Sequence, residues 1–209
     1  MHSAYLTTAD DLYYLNIQDD AGTKTGYFPF METVLSEPAN PTYFFEDGQE
    51  LYYHQFFDDN IYKVQRNKLT TAFKIDFGEY SYPTDKLLKA KTIDQFNEVK
   101  QSGEYAGNIF NIFITKEYLY FMYNNIDGGV NTYIQNLKTN GNYHYSSFGT
   151  CNMGIPISPI ASDGDCFYSL VSPWEWSKES LGKLNAKYGL TLTNDPNSNQ
   201  MVLVKYNYE

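Results

Sequence analysis

The runs Phe57-Asp58-Asp59-Asn60-Ile61-Tyr62-Lys63-Val64 and Phe73-Lys74-Ile75-Asp76-Phe77-Gly78 decide how this chain reads. A polar turn opens the first run, and two strand-like segments follow, at 61–64 and 70–77. Just upstream stand Tyr43-Phe44-Phe45-Glu46, a turn at Asp47-Gly48, and Leu51-Tyr52-Tyr53. Aromatic and β-branched residues suit a pleated, half-buried surface, and Asp-Gly supplies the positive φ of a tight turn. The whole stretch therefore reads as consecutive short strands joined by turns.

Outward from it, the same pattern recurs. Leu12-Tyr13-Tyr14-Leu15-Asn16-Ile17 follows the turn Ala9-Asp10-Asp11. Leu119-Tyr120-Phe121-Met122-Tyr123 follows Lys116-Glu117, and Cys166-Phe167-Tyr168-Ser169-Leu170 follows Asp163-Gly164-Asp165. Each turn is preceded by another strand-like run, at 3–8, 42–46, 109–115 and 155–161, so each pair reads as a hairpin. Leu12, Leu51, Leu119 and Phe167 are spaced by 39, 68 and 48 residues. Several strands repeating at about 40–50 residues predict propeller blades.

The expected fold class is all-β: a partial β-propeller of about four blades of four-stranded antiparallel sheets, with short helical insertions. The blade-like units run over 1–36, 41–78, 107–148 and 155–209 of one domain, with an insertion over 79–106. Blades stack face to face, which accounts for the unalternating run Ile109-Phe110-Asn111-Ile112-Phe113-Ile114. Within 85–101, Leu87, Leu88, Ile93, Phe96 and Val99 are spaced for one or two short helices. Residues 175–188 predict another, with Ser177 as N-cap and Gly189 as its stop.

Composition agrees with this class. Of 209 residues, 42% are hydrophobic, enough for a sizeable core, and aromatics reach 18%, with 21 tyrosines. The formal net charge of -10 argues against nucleic acid and anionic membrane surfaces, both of which need a basic face. The sequence has no apolar run long enough for a transmembrane helix. Met1-His2-Ser3-Ala4-Tyr5 has neither a basic segment nor an apolar one, so no signal peptide is expected in this chain. Cys151 and Cys166 either pair or are both reduced core thiols.

The chain resembles the six-bladed β-propeller proteins common in Bacteroidetes, many of them exported or lipid-anchored. The resemblance lies in the Asp-rich turn and Ile-Tyr strand at 57–64, in 73–78 followed by Pro83 and a helical insertion, and in Asn194-Asp195-Pro196 leading into Met201-Val202-Leu203-Val204-Lys205-Tyr206. The extra Asn197-Ser198-Asn199-Gln200 departs from the family's closing turn. The resemblance matches the C-terminal portion of the family, whose full members carry further blades upstream and a lipoprotein signal. It implies a periplasmic or cell-surface location and transfers no chemistry. An incomplete ring would leave open blade edges, so the expectation is either a homodimer through those edges or an open, partial propeller, ahead of a self-closed four-bladed ring.

Catalytic and metal motifs are absent. His2, His54 and His144 lack HxH or HxxxH spacing, and Asp58-Asp59-Asn60 and Asp163-Gly164-Asp165 read as hairpin turns before they read as calcium loops. There is no GxSxG, and Gly22-Thr23-Lys24-Thr25-Gly26 lacks the spacing of a phosphate loop. His144 lies seven residues before Cys151, within reach of a Cys–His pair only if the loop folds back. No catalytic residue, metal ligand or cofactor is expected. Ligand contact is expected instead from loop aromatics: Trp174 and Trp176, which flank Glu175, and Tyr80 and Tyr82. Such rings stack on sugars while neighbouring Asp, Asn and Glu bond the hydroxyls; the competing role for the tryptophans is to staple the insertion helix to its sheet. The function expected is a non-enzymatic binding module for a glycan, a peptide or a partner protein. The alternatives are a calcium-dependent hydrolase resembling propeller lactonases and a truncated propeller with no activity of its own.

Overall fold

The computed structural model describes residues 3–6, 13–29, 44–46, 50–55, 57–66, 68–83, 86–87, 90, 92–146 and 158–208. Cys151, His2, Leu88 and the turns at 9–11 and 47–48 lie outside them.

Four antiparallel sheets follow one another along the chain. The first is β1 (Ser3–Leu6), β2 (Tyr13–Gln18) and β3 (Lys24–Pro29), in that spatial order. The second is β4 (Phe44–Glu46), β5 (Leu51–His54), β6 (Asn60–Gln65) and β7 (Lys68–Lys74), again in sequence order. The third is β8 (Gly107–Ile114), β9 (Tyr118–Asn124), β10 (Val130–Asn136) and β11 (Asn142–Ser146), and the fourth is β12 (Ala161–Ser162), β13 (Phe167–Val171) and β14 (Val202–Tyr206). The fold is thus all-β, built from simple up-and-down sheets as in propeller blades. Two sheets have four strands; among the described residues, the first and last have three.

Two α-helices whose full extent lies among the described residues interrupt the strands. α1 (Ile93–Lys100) is capped by the Thr92 side chain, which accepts from the Gln95 N–H. Helix α2 (Lys178–Tyr188) begins at Ser177, whose hydroxyl accepts from the Ser180 N–H, and stops at Gly189 in the left-handed region with φ 63°. These are the cap and stop expected from the sequence. α2 begins at Lys178 rather than Glu175 because Trp176 is extended, with ψ 151°.

The described residues fall into two compact units. In the unit holding Glu50–Phe110, Leu15, Ile17 and Tyr53 form one buried cluster, with Tyr27, Phe28, Phe44 and Tyr62 packed on it. A second cluster, Phe57, Tyr82, Leu87 and Phe96, seats α1. In the unit holding Gly129–Glu209, Val171, Trp176, Leu181 and Leu184 form the buried cluster that joins α2 to β13. Strand β9 is buried at five successive positions, Tyr118 to Met122, as befits a strand covered on both faces. In β8 the inward set shifts around Asn111, which sits at φ 48°. Asparagine tolerates that region better than other side chains, so the strand can kink there.

Gly107 sets how closely β8 approaches the α1 cluster. Its φ is +139°, and a Cβ there would meet Tyr82 Cδ2 at 3.0 Å. The Tyr82 ring is held between Phe57 and Tyr105 at centroid distances of 4.9 and 5.7 Å, so it cannot yield freely. Gly107→Ala is expected to destabilise the protein by about 1–3 kcal/mol, read from the midpoint of urea unfolding. A midpoint equal to that of the wild type would mean the ring relocates at no cost.

Candidate functional site

Two loops present aromatic rings to solvent, and both are built the same way. In each, a 3-10 turn carries the exposed ring, and a buried ring follows two residues later. The Pro173–Glu175 turn exposes Trp174, 45% accessible, while Trp176 is 3% accessible. The Gly78–Tyr80 turn exposes Tyr80, 46% accessible, while Tyr82 is 9% accessible. Of the four residues singled out in the sequence, the structure therefore leaves two at the surface. Trp176 and Tyr82 face inward because each fills the cluster under its own helix. That burial gives Trp176 the stapling role and leaves Trp174 and Tyr80 as the two rings of the four at the surface.

Both surface rings sit on pinned backbone. Asn194 Nδ2 donates to the carbonyl of Trp174 at 3.0 Å and also to the carbonyl of Trp176. Pro173 is buried and fixes the start of the turn. The carbonyl of Tyr80 accepts from the Ala106 N–H at 2.7 Å, and Ser81 forms a parallel bridge with Ala106. An aromatic held this way loses little freedom when it takes a ligand. Glu175, next to Trp174, and Asp195, next to the clamping Asn194, are both exposed. The sequence marked 194–196 as a turn and gave no sign of the clamp, because no local pattern ties Asn194 to a carbonyl twenty residues earlier.

The acidic turns resolve into a hairpin device. Asp58 Oδ1 accepts from the Asn60 N–H at 2.9 Å, and Oδ2 accepts from the Tyr62 hydroxyl at 2.7 Å. Asp163 repeats it: Oδ1 accepts from the N–H groups of Asp165 and Cys166, and Oδ2 from the Tyr168 hydroxyl at 2.6 Å and from Lys205 Nζ at 3.1 Å. The Tyr168 hydroxyl, the two N–H groups and Lys205 hold the Asp163 carboxyl far below the usual carboxylate range. Asp59 moves the other way. Burial raises it most; the Ser81 side chain pulls it down, and the charges of Asp58 and Asp76 add to the rise. The oxygens of Asp58 and Asp163 are thus spent on their own turns, which is a structural role. Among the described residues no group of three or more His, Cys, Asp or Glu is placed to hold a metal.

His54 is buried at the end of β5, with Nδ1 3.1 Å from the Asn60 carbonyl oxygen. His144 lies on the outer strand β11 and pairs in register with Tyr133. Cys166 is a free, half-buried thiol beside Asp163. No helix among the described residues is long and apolar enough to cross a membrane.

The structure is similar to that of a Bacteroides fragilis protein named as a candidate exported protein, at 12% identity and a TM-score of 0.55. The match covers 98% of this chain and 60% of that one, so this chain spans 60% of that protein's length. At such identity the likeness speaks to the fold alone. No curated protein matches the sequence. The model of a 6-bladed beta-propeller family matches residues 3–152, most of the chain and three of its four sheets, and the chain belongs to that family.

Proposed function

We propose that this chain is a non-enzymatic β-propeller binding module that takes a glycan on Trp174, outside the cytoplasm. The observation that carries the reading is the half-exposed indole of Trp174 on a turn clamped by Asn194. A flat ring fixed in advance presents an apolar face to the C–H side of a sugar, and the cost of ordering it has been met by folding. Glu175 and Asp195 supply exposed carboxylates nearby for hydroxyl groups. Tyr80 offers a second fixed ring in the other unit. The fold likeness to an exported protein supports the location.

The test is calorimetric titration with the oligosaccharides that a glycan array selects. Trp174→Ala is expected to weaken binding about tenfold or more, equal to about 1.4 kcal/mol, while leaving the fold intact. The chain has only 2 tryptophans, and one is buried, so ligand-induced change in indole fluorescence reports on Trp174. Unchanged affinity and fluorescence in the variant would refute the reading.

A further inference from the structure

We propose that Met201 is an oxidation site for hydroperoxides, and that its sulfoxide displaces the turn that carries Trp174. Val171 opposite Val202 is the last pair of the β13–β14 ladder. One step beyond it stand Ser172 and Met201, joined through their side chains: the Ser172 hydroxyl donates to Met201 Sδ at 3.1 Å. Ser172 opens the Pro173–Glu175 turn, and its carbonyl accepts from the Glu175 N–H at 3.1 Å. The thioether is therefore tied to the residue from which that turn starts. Met122 and Met201 are the two methionines among the described residues. Met122 also accepts through its sulfur, from Asn111 Nδ2 at 3.4 Å and from Ser158 Oγ at 3.9 Å. It is 1% accessible, against 52% for Met201. Oxidation follows exposure, so of these two Met201 is the one that a dissolved oxidant reaches.

The chemistry sets the consequence. The Met201 sulfur attacks the outer oxygen of the hydroperoxide, so an S–O bond forms and the O–O bond breaks. The sulfur gives up two electrons, and the proton on the transferred oxygen passes to the leaving one. That oxygen departs in an alcohol, or as water when the oxidant is hydrogen peroxide. A thioether is a weak acceptor, whereas the sulfoxide is polar and accepts through oxygen. With Ser172 Oγ 3.1 Å from the sulfur, no room is left for that oxygen between them. The hydroxyl must swing to the new acceptor and the sulfur must recede. Met201 is anchored by the next residue, Val202, which packs on the cluster under α2. Asn194 holds the far side of the turn at the carbonyls of Trp174 and Trp176. The movement therefore falls on the Ser172 end and alters the setting of the exposed Trp174 indole. The inference concerns the turn itself and stands whether or not Trp174 takes a glycan.

Treating the full chain with dilute hydrogen peroxide tests it, read by peptide mass mapping and by the fluorescence and near-ultraviolet dichroism of the indoles. Met201 is expected to convert completely before Met122 is detectably oxidised. The Trp174 signal, identified by its loss in Trp174→Phe, is expected to shift in step with the Met201 sulfoxide. It should return when methionine sulfoxide reductases restore the thioether. Met201→Leu, which keeps the volume and both cysteines, is expected to lose the shift at the same dose. Ser172→Ala is expected to oxidise at Met201 without the shift, because the hydroxyl is the link. The wild type decides the matter even if a variant fails to fold. Met201 oxidised no faster than Met122, or fully oxidised with the Trp174 signal unmoved, would overturn the proposal. A shift that persists in Met201→Leu or in Ser172→Ala would overturn it too.

Discussion

Replacing Trp176 by alanine is expected to cost about 3–5 kcal/mol of stability, a large part of what a domain has to lose. The indole is 3% accessible and packs with Val171, Leu181 and Leu184, while Leu192, Val202 and Val204 close around the cluster. It is the contact that holds α2 to the sheet, so its loss leaves a cavity that neither the helix nor the strand can fill alone. Trp176→Phe should behave very differently. The indole Nε1 is buried with no hydrogen-bond partner, so phenylalanine removes an unsatisfied donor together with some volume. The two effects offset each other, and a cost within about 1.5 kcal/mol is expected. Urea unfolding of both variants checks this, with Trp174→Ala as the surface control, expected within about 0.5 kcal/mol of wild type. If Trp176→Ala lost less than the phenylalanine variant, the ring would not be the anchor of this unit.

The repeating hairpins were legible because they depend on short-range rules. A polar turn, an aromatic strand and a length of a few residues are visible wherever they occur, and they recur at blade-like spacing through all four sheets. The Ser177 cap and the Gly189 stop were legible for the same reason: each acts within one helical turn. Trp174 and Trp176 could not be told apart this way. They are the same residue, two positions apart, and their fates differ because the 3-10 turn ends between them and the extended backbone at Trp176 aims its ring at α2. Tyr80 and Tyr82 divide by the same geometry. The Asn194 clamp is a long-range bond with no local signature. Nor did composition reveal that the acidic turns are closed by tyrosine hydroxyls, since the Asp-to-Tyr spacing is four residues in one turn and five in the other. What the propeller family adds is the fold; the choice of ligand stays with the loops.

Stability is expected to fall as pH drops below 6.5, and His54 is expected to be the cause. The ring is 4% accessible, and burial holds its pKa below the ordinary value of 6.5. The Asn60 carbonyl, the Asp58 charge and the Ile109 backbone favour the charged ring, but desolvation outweighs them. The Asn60 carbonyl can only accept, so the neutral ring carries its proton on Nδ1. Nε2 is buried and makes no hydrogen bond as the ring stands, and the cost of burying the charge outweighs what the Ile109 backbone would return. The sign follows from linkage. Above pH 6.5 the ring is neutral whether the chain is folded or unfolded, and pH has no effect through it. Below that value the unfolded chain takes up a proton that the folded chain refuses, and unfolding gains up to about 1.4 kcal/mol per pH unit until the folded value is reached. For a chain of this size that is about 2–4 °C in Tm for each kcal/mol. Asp59 pulls the opposite way, because a carboxyl raised by burial stabilises the fold as it protonates. Thermal melts from pH 7.5 to pH 5 therefore need His54→Gln beside the wild type. The glutamine keeps a donor for the Asn60 carbonyl and removes the titration, and subtracting the two profiles leaves the histidine's share. The wild type should lose stability relative to the variant steadily below pH 6.5, the variant keeping the contribution of Asp59 and the other carboxyls. Parallel profiles would place the titrating group elsewhere in the molecule and return His54 to a simple packing role.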